Sequence, residues 1–341
     1  MPLSAAEIFK RAAIFVAIAL VPVLVWLLFS VILIAMGAIL IAILLTLGAE
    51  PLTRWLKFPR VIALAISGLI IIGIVGSAGY LFGTRAAAQL QQVLQLANQA
   101  VESIRASLQG SDFGQLILSH IEGSNFSLTN VVTGIFSVSL TFLTALAIAV
   151  FGGIYLAAQA GLYRDGLIQL LPHRLRPNGA ETLEDISTAL RLWMLGQMID
   201  MIIVGLLSTF VTWLIGLPSV LALGLIAALF EFIPYVGPIL GAIPAVLVAA
   251  TQGLDTVLWT IAAYTLIQQV EGHLIAPLIS REMVYIPPLV LILGILAITT
   301  LFGLYAVIFA APIAVILFVT VKKLYIRDSL GDTTSIPGET A

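Results

Sequence analysis

Residues 218–250 read PSVLALGLIAALFEFIPYVGPILGAIPAVLVAA, apolar enough for the interior of a bilayer, yet the middle carries Glu231, Pro234, Gly237, Pro238, Gly241 and Pro244. An interior proline removes an amide donor and clashes with the preceding turn, at about 3 kcal/mol. In hydrocarbon the freed backbone groups must find partners inside the protein or in a water-lined cavity. One straight helix is therefore a poor solution. The stretch is expected to be a broken or re-entrant pair of half-helices, sheltered by the chain around it.

The rest of the sequence supplies that shelter. No Asp, Glu, Lys or Arg occurs between Arg11 and Glu50, between Arg60 and Arg85, from Gly123 to Tyr163, from Met201 to Phe230 or from Met283 to Val321. Each run exceeds the roughly 20 residues that cross a hydrocarbon core of about 30 Å. Only 9% of residues are charged, against about 25% in a soluble domain. The reading is an all-α polytopic membrane protein with about eight hydrophobic segments, including broken or re-entrant hairpins arranged as an internal repeat.

In chain order, residues 1–83 are expected to form an N-terminal helical pair and one span. The pair would break at Pro22, Ser30 or Gly37, and it would follow an uncleaved start, because the first apolar run has no small-residue cleavage site. Residues 84–128 follow as an extracytoplasmic amphipathic helix and loop, and 129–163 as a span. Residues 164–195 form a cytoplasmic amphipathic segment, in which Pro177-Asn178-Gly179 reads as a turn and the helix after it feeds into the next span. Residues 196–325 make a repeat-containing transport domain, and 326–341 a flexible tail. Lys10, Arg11, Arg54, Lys57, Arg60, Arg164, Arg174, Arg176, Arg191, Lys322, Lys323 and Arg327 flank apolar runs. The positive-inside bias then puts both termini in the cytoplasm.

The repeat is read from proline. Pro218-Ser-Val-Leu-Ala-Leu-Gly-Leu-Ile-Ala227 and Pro288-Leu-Val-Leu-Ile-Leu-Gly-Ile-Leu-Ala297 share the pattern P-x-V-L-x-L-G-x-x-A, and Pro244 has a counterpart in Pro312 two residues out of register. If each broken segment turns back, the copies are inverted and the charge-free connector 251–255 lies outside, as the basic-residue bias favours. If each crosses fully, they are parallel. Chance likeness of two apolar stretches is the competing reading.

Carboxylates inside spans cost about 2.5–3.5 kcal/mol on insertion scales and mark function by default. Glu231 beside the break is the sharpest, followed by Asp200 with Gln197 a turn before it. Gln268, Gln269 and Glu271 crowd the end of another span, beside His273. A structural carboxylate satisfied by a neighbouring helix is the plainer alternative for each. These five, Asp200, Glu231, Gln268, Gln269 and Glu271, are the candidate coupling residues; Pro234, Gly237, Pro238, Gly241, Pro244, Gly303 and Pro312 are the candidate gates or helix breaks. With no cysteine, three histidines and no H-E-x-x-H pattern, no metal centre or cofactor is read. No Walker A or G-x-S-x-G pattern occurs, so no enzyme is read, and the scattered basic residues make no nucleic-acid stripe.

Leu195-Gly196-Gln197 with Asp200, Phe232-Ile-Pro-Tyr-Val-Gly-Pro238 with Gly241-Ala-Ile-Pro244, Glu271 with Pro277, Pro287-Pro288, Phe302-Gly303 and Ala311-Pro312 together resemble the AI-2E transporter family. His273 and Tyr305 depart from its commonest pattern, where Asn and a second Gly are frequent. The resemblance implies a secondary-active transporter of the bacterial inner membrane, exporting a small polar signalling molecule of the autoinducer-2 type or exchanging Na+ or Li+ for H+. It also implies homo-oligomers, pentamers among them. A passive oligomeric channel, with Gln89, Gln91, Gln92 and Gln95 lining a vestibule, and an envelope scaffold are the alternatives from other classes.

Overall fold

The computed structural model describes residues 23–74, 140–275, 287–303 and 306–334, with a few isolated residues between them. The expected amphipathic helix and loop of 84–128, the vestibule glutamines and Pro22 lie outside these residues. All regular structure described is helical. The helices are α1 (Phe29–Arg54), α2 (Arg60–Ile74), α3 (Leu140–Ala158), α4 (Ala160–Gln169), α5 (Arg176–Ile215), α6 (Val220–Phe230), α7 (Gly237–Ala250), α8 (Leu254–Val270), α9 (Pro288–Phe302) and α10 (Val307–Thr320). Short π-helical turns extend α8 over Glu271–Ile275 and α10 over Val321–Arg327.

Among the described residues three stretches are long and apolar enough to cross a membrane, Phe29–Arg54, His173–Ile215 and Val307–Arg327, or four if the α3–α4 pair, bent by 91°, counts as one. Four apolar helices, α2, α6, α7 and α9, are shorter. The residues that face outward identify the solvent. On α5 Leu206, Trp213 and Leu214 are 65–68% exposed while Ser208 and Thr212 are fully buried. Apolar outside and polar inside is the pattern of a helix in lipid.

Several expectations are corrected. The N-terminal run does not break at Gly37: α1 begins at Phe29, after an interruption at Leu28 that lies two residues from Ser30, and runs through Gly37 to Arg54. Gly37 instead provides room, since a Cβ there would meet the Cβ of Ala149 at 3.2 Å and the ring of Phe309 at 3.5 Å. Pro177-Asn178-Gly179 is the first turn of α5 and not a separate turn, because a proline at a helix start lacks only an amide that would be unpaired anyway. From there α5 runs 40 residues, about 60 Å at 1.5 Å per residue, through the expected boundary at 195/196, and ends at Gly216 with φ of 84°. The tail does not start free at 326, because Leu330, Gly331 and Asp332 donate backbone hydrogen bonds to Tyr325, Arg327 and Ile326.

Residues 218–250 form two helices of 11 and 14 residues, about 17 and 21 Å long, each short of a bilayer core. They pack antiparallel. Gly241 approaches Ala227 near the tip, where a Cβ would meet its Cα at 3.0 Å, and Leu223 packs with Ala245, Val248 and Ala249 further along. At the open end Gln252 donates to the Gly216 carbonyl at 3.3 Å, so the chain leaves where it entered. Pro238 starts α7, whereas Pro244 lies inside α7 and Pro312 inside α10. Each of those two costs one hydrogen bond without ending the helix, so neither is a break. Gly303, with φ of 87°, does end α9. The aligned glycines of the two proline-led segments have different neighbours: Gly224 lies against Thr209 and Gly205 of α5, and Gly294 faces Ala314 of α10.

Ion pairs fix the basic ends of these helices. Lys323, 3% exposed, donates to Glu181 at 3.0 Å and lies 3.5 Å from Asp185, both on α5. Arg191 of α5 pairs with Glu50 of α1, and Arg60 donates to the Ala157 carbonyl of α3 at 3.0 Å.

Candidate functional site

Six residues, 231–236, turn the chain between α6 and α7. The amides of Glu231, Phe232 and Ile233 still reach the carbonyls of Ala227, Leu229 and Phe230, and Gly237 donates to Ile233 at 2.7 Å. Tyr235 adopts φ of 65°, in the left-handed region. A side chain at Gly237 is excluded by backbone, because its Cβ would sit 2.1 Å from the Phe230 carbonyl oxygen. The turn separates two adjacent side chains by chemistry. Phe232 packs edge-on against Trp193 at 5.8 Å and joins the apolar cluster of Met36, Leu40, Leu47 and Met194. Glu231, 3% exposed, turns to other partners.

Those partners come from two other helices. One carboxylate oxygen from each of Asp200, Glu231 and Glu271 lies within 4.8 Å of the other two. Asp200 stands on the face of α5 that also carries Gln197, Val204 and Ser208. Gln197 donates its amide to the Glu231 main-chain carbonyl at 2.7 Å, satisfying an acceptor freed at the end of α6. Glu271 begins the π turn at the end of α8, on the face lined by Thr260, Tyr264, Ile267 and Gln268. Gln268 donates to the Glu271 carboxylate. Single-turn π segments frequently mark functional positions.

The charged groups acting on Glu231 among the described residues are Asp200 and Glu271, both anions. Three carboxylates so close in a poorly hydrated interior need a counter-charge, since burying an unpaired ion is costly. Protons or a bound cation would provide it.

Of the five candidate coupling residues, the fold gathers Asp200, Glu231, Gln268 and Glu271. Gln269 is exposed, and its carbonyl lies 3.0 Å from His273 Nδ1. Gln197, noted in the sequence only as a neighbour of Asp200, is the residue that ties α5 to the hairpin tip. Around the tip lie Pro234, Gly237, Pro238 and Gly241; Pro244, Gly303 and Pro312 lie in α7, at the end of α9 and in α10. Together α1, α2, α5 and α6 line an open apolar groove of about 620 Å³, with Leu40, Met194, Met198, Gly205, Leu225 and Phe232 among its residues.

A family model described as AI-2E family transporter matches residues 13–326. YueF of Bacillus subtilis (strain 168) is 26% identical over 310 residues, 84% of this chain and 82% of that protein. YrrI of the same organism is 31% identical over 191 residues, 56% of this chain but only 54% of that protein's length. The AI-2 transport protein TqsA of Escherichia coli (strain K12) is 24% identical over 299 residues, 84% of each chain.

Proposed function

This chain belongs to the AI-2E transporter family, and from that premise we propose that it is a coupled membrane transporter whose Asp200, Glu231 and Glu271 form the coupling site at the tip of the α6–α7 hairpin. The observation that carries the reading is the gathering of three carboxylates from three separate elements, with only anions acting on the innermost one among the described residues. Filling or emptying this site changes the repulsion between α5, the hairpin tip and α8 together. A ligand shifts a conformational equilibrium only through its differential affinity for the two states, and a site shared by three elements has that property whenever they move relative to one another.

The six-residue turn is the joint in this reading. α6 and α7 act as a re-entrant hairpin, with Pro234, Gly237, Pro238 and Gly241 shaping its tip, and α9–α10 as its counterpart in an inverted repeat with Gly303 at the second bend. The proline-led sequence pattern and the return of the first hairpin to its starting side support this arrangement. The transported solute is a small polar signalling molecule of the autoinducer-2 type, or the protein exchanges Na+ or Li+ for H+; the name of the Escherichia coli relative supports the former. No chemical step on the solute is involved. The protein resides in the bacterial inner membrane with both termini cytoplasmic, as a homo-oligomer.

Purified protein in proteoliposomes tests the reading. Internal pH is followed while Na+, Li+ or a sugar-like signalling molecule is added outside, for wild type and Glu231→Gln in parallel. Flux accompanied by a pH change that the variant loses supports coupling through the carboxylates. Flux with unchanged proton dependence in the variant removes Glu231 from the coupling role, and solute leak without any imposed gradient replaces the transporter with a channel.

A further inference from the structure

We infer that the Asp200–Glu231–Glu271 cluster is a binding site for a divalent cation of calcium size, an inference that rests on the cluster's coupling role and specifies its ligand. The first observation is the spacing. Hard cations such as Ca2+ take carboxylate oxygens at about 2.3–2.6 Å, so oxygens around one ion lie up to about 5 Å apart. The three carboxylates, with oxygens spread over no more than 4.8 Å, fit that limit with little rearrangement. Mg2+, at about 2.0–2.1 Å and with strict octahedral demands, needs a tighter set and gives up its water reluctantly.

The second observation is independent of spacing. The Oδ1 of Asp200 is buried and has no hydrogen-bond partner among the described residues, and Glu231, whose carboxylate faces it within the cluster, is 3% exposed. Buried polar atoms are almost always satisfied, and each exception asks for an explanation such as an ion. The neighbouring amides are already used, Gln197 on the Glu231 main-chain carbonyl and Gln268 on Glu271. They orient the carboxylate-bearing elements and leave the remaining oxygens free to face an ion, as outer groups around metal sites do.

Charge selects the valence. Three carboxylates, with Asp200 and Glu271 the charged groups acting on Glu231 among the described residues, present up to three negative charges. A monovalent ion would leave two of them uncompensated in a low-dielectric surrounding, whereas a divalent ion leaves one and attracts each carboxylate twice as strongly. Oxygen-only ligands without thiolate or imidazole suit Ca2+ or Mn2+ rather than zinc or copper.

The test uses full-length protein in detergent micelles, treated with chelator and titrated with Mn2+, whose free six-line electron paramagnetic resonance signal disappears on binding. One Mn2+ per chain is expected, displaced by Ca2+ at similar concentration and not by Na+ or Li+. Glu231→Gln and Glu271→Gln each weaken Mn2+ binding about tenfold or more, while Glu184→Gln, which alters an exposed pair with Arg164, leaves it unchanged. Circular dichroism and gel filtration qualify each variant, and Asp200→Asn replaces any that fails to fold. Binding that survives the cluster substitutions, that Na+ displaces equally well, or that is absent in wild type overturns the inference. Failure of the transport reading is separate: Mn2+ bound at the cluster without flux of any solute refutes the transporter and leaves the ion site standing, and coupled flux without Mn2+ binding does the reverse.

Discussion

Substituting Gly237 by alanine should disable the carboxylate site without touching a carboxylate. The added Cβ would lie 2.1 Å from the Phe230 carbonyl oxygen, 2.8 Å from the Phe230 carbonyl carbon and 3.0 Å from the Glu231 Cα. Ordinary contact begins near 3.4 Å, so the backbone on one side of the turn must retreat by about 1.3 Å. No side-chain rotation relieves this, since every obstructing atom is main chain. Overpacking of this kind costs about 1–3 kcal/mol, and because the displaced backbone includes Glu231, the shift falls directly on the spacing to Asp200 and Glu271. The assay pairs thermal unfolding in detergent with coupled flux in proteoliposomes, and Gly166→Ala serves as the reference. Gly166 sits inside α4 with nothing within 4 Å of an added Cβ, so alanine there gains about 0.5–1 kcal/mol of helix propensity. Gly237→Ala should melt lower and lose most of its coupled flux, while Gly166→Ala melts no lower than wild type. Equal melting and equal flux in the two variants would refute the claim that the close approach at Gly237 sets the geometry of the site.

Other substitutions probe other parts of the structure. Glu181→Gln alone should cost little, because Asp185 remains beside Lys323, whereas Glu181→Gln with Asp185→Asn leaves the Lys323 ammonium without either acid and should destabilise by about 1–3 kcal/mol, seen as a melting loss larger than the two single losses combined. Gly224→Ala should destabilise even when joined to Thr209→Ala, because the Gly205 carbonyl oxygen, 2.8 Å from the added Cβ, stays in place when the Thr209 hydroxyl is removed; full rescue by the second change would contradict this. Arg60→Ala should lower the melting point slightly, by about 1 kcal/mol or less in stability, through loss of one hydrogen bond to the Ala157 carbonyl.

Local chemistry made some of this architecture legible in the sequence and concealed the rest. The interruption between Glu231 and Gly237 could be read because prolines and glycines act on their own backbone, and Glu231 could be singled out because a carboxylate is foreign to an apolar run. The same logic misplaced Gly37, Pro244 and Pro312. A residue that permits a bend does not compel one, and neighbours decide: Gly37 admits Ala149 and Phe309, and the two prolines stay within helices. The gathering of Asp200, Glu231 and Glu271 was beyond reach because the three are separated by dozens of residues and share no spacing rule of the kind that histidine and cysteine motifs obey. Only the antiparallel return of α7 and the course of α8 beside α5 bring them together. Lys323 was read as a marker of the membrane boundary, and its burial against α5 depends on a contact across 142 positions of chain.

The pairing of Lys323 with Glu181 and Asp185 also sets a schedule for biosynthesis. At about 5–20 residues per second, a ribosome delivers the lysine some 7–30 s after Glu181, which is 142 positions upstream. Throughout that interval the two acids lack this cation, and α5 holds to earlier chain through the Arg191–Glu50 and Arg164–Glu184 pairs and the packing of Met194 against Met36, Leu40 and Leu47. The helix that carries Lys323 therefore completes the first half of α5 late, and a nascent chain halted before residue 323 leaves Glu181 and Asp185 without that partner.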